Sequence, residues 1–305
     1  GTVDLLTPRL EKVRTVTVST SAARSIAWSD DDRSFVVGAY DGSLHFFGVS
    51  GERIRRVYDA RLWPRSVAMA GSVIAVGSFR GGPHLLDFTT GTKLCAPGRD
   101  NHGPNALAVL DGELLIGCDS GTVFAVGPRQ PDGARDVRAL HVSGSPVLSL
   151  ATRGRRLYAG TYDGHVIRAA DDSLGEEENA SVRVDAPVPS LCAAGDRVIA
   201  GTYNGKLIGL DPLTLSTVDR GTPHRGSVKS LAGFGGGFLS ASTDRTVAAG
   251  SLHRRETLWE HGNLVNSVAG LDGRVVATAS RDHTVKVGLV VPTEDGRWRV
   301  VERQT

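Results

Sequence analysis

Apolar residues in this chain fall in short runs separated by turn residues, and the same arrangement recurs along its length. An apolar run, a turn and a second apolar run appear at Gly201-Thr202-Tyr203-Asn204-Gly205-Lys206-Leu207. Earlier copies stand at Gly160-Thr161-Tyr162-Asp163-Gly164-His165-Val166 and Gly38-Ala39-Tyr40-Asp41-Gly42-Ser43-Leu44. Asp-Gly or Asn-Gly supplies the positive φ angles of a tight hairpin turn, so each copy predicts a β-hairpin. Aligning the turns gives seven positions: Asp41, Arg80, Ser120, Asp163, Asn204, Asp244 and Asp282. Their spacing of about 40 residues is the period of a propeller blade built from four short strands.

A second landmark keeps the same period. A small residue followed by an aliphatic one opens each unit: Ser25-Ile26, Ser66-Val67, Ala106-Leu107, Ser149-Leu150, Ser190-Leu191, Ser230-Leu231 and Ser267-Val268. In the first unit, strands a to d are predicted at Ser25–Trp28, Ser34–Ala39, Ser43–Val49 and Arg53–Tyr58. Strand b is continuously apolar, as in Phe35-Val36-Val37, which fits a strand covered on both faces. Strand d is more polar and suits an outer edge. The prediction is an all-β, seven-bladed propeller of four-stranded antiparallel blades, forming one domain over residues 1–305. The strand-like stretch Val13–Val18 precedes Ser25 at the spacing by which other d strands precede the next unit. An N-terminal strand at about 11–20 is therefore expected to complete the last blade, with Arg297–Glu302 as its competitor for that place.

Composition narrows the function classes. A net charge of +2 argues against binding nucleic acid over the whole surface. No apolar run approaches the roughly 20 residues of a membrane-spanning helix. The opening residues lack the pattern of a signal peptide, while the start Gly1-Thr2 leaves room for a longer native chain. Cys95, Cys118 and Cys192 are scattered and form no CxxC pair, so neither a disulfide framework nor a zinc site is predicted. The expected compartment is the cytoplasm.

The sixth and seventh units resemble WD40 repeats, through residues 238–247 and 277–285 with His224 and His261 about 20 residues before Asp244 and Asp282. The resemblance implies a hydrogen-bonded tetrad of His, strand-b Ser or Thr, turn Asp and strand-c Trp. His224, Ser240 or Ser242, and Asp244 match three members, as do His261, Thr278 or Ser280, and Asp282. The Trp is replaced by Gly250 and Gly288. The fifth unit, residues 197–214, looks more like a quinoprotein-type repeat. The chain thus resembles a degenerate, mixed WD40-like propeller. The resemblance implies a rigid interaction platform, which in bacteria often ends a larger signalling or ATPase chain.

Catalytic signatures are sparse. The nine histidines do not group, and HExxH, GxSxG and GxxxxGK[ST] are absent. Gly233–Gly237 reads as an a–b turn rather than a phosphate loop, since no helix follows it. No cofactor or metal is expected, and no ligand set for a quinone cofactor can be assembled. In a propeller, the d–a and b–c loops share one face. The residues next to strand a are Arg24, Arg65, Asn105, Leu148, Pro189, Lys229 and Asn266, and the b–c turns add Tyr40, Phe79, Arg80, Tyr162, Tyr203, Arg245 and Arg281. Arg and Tyr are enriched at binding hot spots. The opposite face collects Asp30, Asp31, Asp32, Asp111, Glu113, Asp132, Asp171, Asp172, Glu176, Glu177 and Glu178.

The reading is a non-enzymatic, monomeric scaffold. It holds a protein or peptide, with an acidic segment as one form of partner, through Arg24, Tyr40, Arg65, Phe79, Arg80, Asn105, Tyr162, Tyr203, Lys229, Asn266 and Arg281. The rival class is a hydrolase, lyase or small-ligand binder using a central channel. Nucleic acid comes third, and a membrane is not expected as a partner.

Overall fold

The computed structural model describes every residue except 8, 79–80, 95–102, 130–134, 171–177, 253, 294–296 and 305; the side chains of 129 and 302–304 are also outside it. The described residues form strands and turns, and they divide into two compact units, Gly1–Val147 and Leu148–Thr305.

In the first unit, β1 (Thr2–Leu6) and β2 (Lys12–Thr17) make a two-stranded sheet. Three four-stranded sheets follow. The first has β3 (Ala23–Trp28), β4 (Ser34–Ala39), β5 (Ser43–Gly48) and β6 (Arg53–Tyr58). The second has β7 (Pro64–Ala70), β8 (Val73–Ser78), β9 (His84–Asp87) and β10 (Lys93–Leu94). The third has β11 (Pro104–Leu110), β12 (Glu113–Cys118), β13 (Thr122–Arg129) and β14 (Arg135–His141).

The second unit holds four more such sheets. They are β15 (Val147–Arg153), β16 (Arg156–Thr161), β17 (His165–Arg168) and β18 (Ala180–Arg183); then β19 (Ser190–Ala194), β20 (Arg197–Gly201), β21 (Leu207–Leu210) and β22 (Thr217–Gly221). Next come β23 (Val228–Phe234), β24 (Gly237–Ser242), β25 (Thr246–Gly250) and β26 (Arg255–Glu260), and finally β27 (Val265–Leu271), β28 (Val275–Ser280), β29 (Val285–Pro292) and β30 (Trp298–Gln304). Every sheet is antiparallel with its strands in chain order, the blade pattern that the hairpin repeat predicts. Among the described residues, seven four-stranded sheets stand at the seven expected places.

The core lies between successive sheets. Val36, Leu44 and Phe46 of the first sheet pack on Val67, Met69, Ile74 and Leu86 of the second. In β8 and β12, strand b is buried along nearly all its length, which is why it reads as a continuous apolar run, whereas β28 is only partly buried. The small residues opening strand a have a definite task. Ser25 Oγ accepts from the Val67 amide at 3.0 Å, while Ser149 and Ser190 donate to the Val188 and Val228 carbonyls, each at 2.8 Å. These hydroxyls tie one sheet to the next where a backbone group would otherwise be buried without a partner.

The N-terminal strand departs from expectation. It does not complete the last blade: β2 pairs with β1, and β30 supplies the fourth strand beside β29. The competitor stretch prevails because it is local. Thr293 and Arg297 meet at the ends of β29 and β30, with the Thr293 amide donating to the Arg297 carbonyl at 2.7 Å. Closing that loop costs far less chain entropy than recruiting a strand from the other end of the chain. Trp298 then packs on Phe234, their ring centroids 4.9 Å apart. Val16 and Val18 are buried instead against Phe35, Val37, Ala39 and Phe47 of the first blade.

Candidate functional site

Of the residues expected beside strand a, all but Pro189 lie inside it, and five sit on a β-bulge. Pairing of strand a with strand b slips between Ala23 and Ser25, between Pro64 and Ser66, and between Pro104 and Ala106 in the first unit. It slips again between Val228 and Ser230 and between Val265 and Ser267 in the second. The skipped residues are Arg24, Arg65, Asn105, Lys229 and Asn266. A bulge inserts an unpaired residue and re-aims its side chain, and bulges gather at sites that a fold presents to a ligand. Leu148 and Pro189 have no such slip described.

The b–c turns sit beside these bulges. In five of the b–c turns the tip residue two before the positive-φ position donates its backbone N–H to the loop that enters strand a of the same sheet. Tyr40 donates to the Ala22 carbonyl (3.0 Å), Asp119 to Gly103 (2.8 Å), Tyr203 to Pro187 (3.0 Å), Thr243 to Ser227 (3.0 Å) and Arg281 to Leu264 (2.9 Å). This bond holds the backbone of those five tips, of which Tyr40, Tyr203 and Arg281 have exposed side chains. In Asp163-Gly164 and Asn204-Gly205, glycine at φ +84° and +81° takes the left-handed position of the turn.

In the first unit the polar groups connect. The Arg65 guanidinium donates to Asn105 Oδ1 at 2.8 Å, and Asn105 Nδ2 donates to Asp119 Oδ1 at 2.5 Å and to the Val147 carbonyl at 3.1 Å. Arg65 and Asn105 are half-buried, while Arg24 and Tyr40 are exposed. Phe79 and Arg80 lie outside the described residues. In the second unit, Tyr162 and Tyr203 from adjacent sheets meet edge to face, ring centroids 6.5 Å apart and planes at 88°. They remain 56% and 42% exposed. Lys229, Arg245 and Arg281 are exposed and Asn266 half-buried. Arg245 is engaged by Glu260 at 3.0 Å. Of the acidic set, Asp132, Asp171, Asp172, Glu176 and Glu177 lie outside the described residues. Asp30, Asp31, Asp32, Asp111 and Glu178 are exposed, and Glu113 is half-buried.

The histidines are engaged inside their sheets. His224 Nδ1 stands 3.1 Å from Asp244 Oδ2, and Nε2 stands 2.8 Å from Ser240 Oγ. Because a carboxylate only accepts, Nδ1 carries the proton and Nε2 accepts from the serine hydroxyl. Of the two serines the sequence offered, Ser240 is the partner; Ser242 Oγ accepts from the Asp244 amide. Burial lowers the His224 pKa, with Arg255 adding to the effect against the opposing pull of Asp244. His261 repeats the arrangement through Thr278, at 2.9 Å, rather than Ser280. Sequence reasoning missed Trp259, whose indole N–H donates to Thr278 Oγ1 at 3.0 Å. An indole is thus present in this network, two residues before His261 and on β26, where strand-c alignment does not look for it.

In the first sheet a histidine lies on strand c itself: His45 Nε2 is 2.6 Å from Ser43 Oγ, and the Ser43 hydroxyl donates to Asp41. Burial, then Arg53, lowers the His45 pKa. Burial pushes the thiols of Cys118 and Cys192 up to about 12, far from a reactive thiolate. Among the described residues, no three His, Cys, Asp or Glu stand close enough to hold a metal ion.

Comparison with known proteins agrees with this geometry. The family model for the WD domain, G-beta repeat, matches residues 10–47 and 253–287. No curated protein matches the chain. Among solved structures, the computationally designed Ika8 protein is similar over 99% of this chain and 90% of its own, with a TM-score of 0.77 at 18% identity. BamB from Moraxella catarrhalis is similar over 94% of this chain and 90% of its own, with a TM-score of 0.74 at 16% identity. At these identities the likeness is one of fold.

Proposed function

We propose, from the premise that this chain is a WD40-like β-propeller, that it is a non-enzymatic recognition module holding a protein or peptide segment on its b–c tips and strand-a bulges. Two observations support the reading: in four blades a bulge re-aims one side chain while a hydrogen bond fixes the neighbouring tip, and in the fourth and fifth blades two exposed tyrosines meet edge to face. A rigid frame of this kind loses little entropy when it binds. The side chains it presents suit recognition. The Tyr162–Tyr203 pair offers a large, stiff, amphipathic surface, with Lys229 and Arg281 exposed in the same unit. The first unit offers Tyr40 and Arg24. These cations favour an acidic or mixed partner segment. The engagement of His224 and His261 within their sheets supports the non-enzymatic reading.

The test is the double variant Tyr162→Ala/Tyr203→Ala, set against Asp31→Ala/Glu178→Ala on the acidic set. Both should keep the wild-type melt, since exposed substitutions shift stability by about 0.5 kcal/mol or less. The tyrosine variant should lose capture of partners from source lysate, identified by mass spectrometry, and the acidic variant should keep it. The reverse result places the binding face on the acidic side.

A further inference from the structure

One buried imidazole of the first unit uses only half of its bonding capacity. His224 and His261 engage both ring nitrogens within their sheets. His45, only 2% exposed, engages one. Its Nε2 stands 2.6 Å from Ser43 Oγ, while Nδ1 is buried with no hydrogen-bond partner among the described residues. The Ser43 hydroxyl has one proton and gives it to the Asp41 carboxylate, which only accepts. Nε2 therefore carries the His45 proton and donates to Ser43, and Nδ1 presents a bare lone pair.

The network ends on the N-terminal hairpin. Asp41 Oδ2 accepts from the Ser19 hydroxyl at 2.6 Å, so Ser19, Asp41, Ser43 and His45 form one chain. In the sixth blade His224 holds the turn carboxylate from the entry loop; here Ser19 holds it, and the imidazole comes from strand c. Residues 16–19 lie over the same face of β5. Phe47, two residues beyond His45, stacks on it with centroids 6.4 Å apart and planes at 12°, and it packs against Val16 and Val18. The Arg53 guanidinium lies over the Phe47 ring and donates to the Thr17 and Val18 carbonyls at 2.6 and 3.1 Å.

A proton on Nδ1 would meet no acceptor. The charged groups around the ring are Asp41 from the b–c turn and Arg53 and Arg56 from β6. Asp41 is already engaged by Ser19, by Ser43 and by Arg56, the last at 3.5 Å. β4 sets Val37 opposite His45. Residues 16–19 bring no charged side chain, and Arg14 of β2 donates to the Ser50 carbonyl. A second ring proton thus buries an unpartnered N–H and a positive charge beside two guanidinium groups. Burying an ionised group without a partner is strongly unfavourable.

From this arrangement we infer that His45 is a proton-operated latch for the β1–β2 hairpin: with Nδ1 bare, residues 16–19 seat over β5, and with Nδ1 protonated they lift, which hydrates the imidazolium and uncovers Phe35 and Phe47. Both rings are fully buried in the seated form. The release is local, because Leu44 and Phe46 on the other face of β5 keep their packing on the second blade. Burial lowers the His45 pKa, so the lifted form takes up the proton first. Seating is complete above about pH 6.5 and weakens as pH falls toward the folded value.

The test is amide hydrogen exchange of the full chain at pH 7.5 and 5.5, corrected for the intrinsic effect of pH. A group whose open-state pKa is about 6.5 shifts the opening equilibrium by about 5- to 10-fold at pH 5.5. A two-stranded hairpin stripped of its packing does not hold its own pairing, so its amides report the lift. The Val16, Val18 and Ser19 amides should exchange about 5- to 10-fold faster at pH 5.5, and those of β7–β9 should not. His45→Gln offers an N–H to Ser43 but does not titrate, and should abolish the difference. Equal corrected exchange at the two pH values overturns the inference, as does an equal rise in every sheet or a difference that survives His45→Gln. If that variant does not fold, the parent chain is titrated by NMR. The His45 ring protons and the hairpin amides should then share one midpoint, and two separate midpoints overturn the latch.

Discussion

Trp259 and His261 converge on one hydroxyl, Thr278 Oγ1, from 3.0 and 2.9 Å. A single arrangement of protons satisfies the cluster. The indole N–H donates to the threonine oxygen, the threonine hydroxyl donates to His261 Nε2, and His261 Nδ1–H faces Thr284 and Asp282. Two sheets are thereby joined through a side chain that alignment on strand c does not find.

Thr278→Val should therefore cost more than Trp259→Phe. The valine leaves a buried indole N–H and an imidazole nitrogen without their partner, a loss of about 1–3 kcal/mol. The phenylalanine keeps the threonine–histidine bond and should cost about 1 kcal/mol. Denaturant melts of the two variants check the order, and equal costs would break the proposed relay.

Asp244→Ala removes the acceptor for the Arg225 and Thr246 amides and for His224 Nδ1. The expected cost is about 1–3 kcal/mol, lost from the sixth blade first. Hydrogen exchange across β23–β26 locates it. A melt unchanged by the substitution would release Asp244 from its structural role.

The pH dependence has a defined sign. His45 and His224 have folded pKa values lowered by burial, so the unfolded chain takes up the proton first. Stability should be full above the unfolded value of about 6.5 and fall as pH drops through it toward the folded values. Asp41, Asp244 and Asp282 are held below the carboxylate range, so their contribution persists at pH 5 and is lost only in stronger acid. Melting temperature should thus decline between pH 7 and 5, and His45→Gln should flatten that decline. A flat profile in the parent chain would contradict it.

The two chain ends stabilise different sheets. Val18→Asp buries a carboxylate among Phe35, Val37 and Phe47 and should destabilise the first unit by several kcal/mol. Trp298→Ala removes the contact with Phe234 and should cost about 3 kcal/mol in the second. Exchange protection read sheet by sheet should separate the two effects, and loss in the same sheet for both variants would refute the assignment.

Much of this was legible in the chain. Turn residues and small opening residues mark all seven blades, because tight hairpins demand positive φ and, at Ser25, Ser149, Ser190 and Ser230, inter-sheet backbone groups take a hydroxyl. The tetrad histidines were legible for the same reason: a buried imidazole needs named partners. The bulges at Arg24, Arg65, Asn105, Lys229 and Asn266 were not, since a one-residue slip leaves no trace in composition. The place of the N-terminal strand was also hidden. Val13–Val18 has the spacing of a d strand, but spacing says nothing of which sheet supplies its partner. The choice lay with the short connection between Thr293 and Arg297, which only loop entropy ranks.

In five blades the amide of the b–c tip is anchored to its own entry loop, and the turn beyond it is set by a positive-φ residue. The backbone of the turn is therefore set without the tip side chain, although Asp119 adds a bond from Asn105. Tyr40, Asp119, Tyr203, Thr243 and Arg281 occupy equivalent places with no common chemistry. At Tyr203 and Arg281, which are exposed, substitution should cost little in stability, so the turn is a place where the sequence can drift while the blades stay as they are.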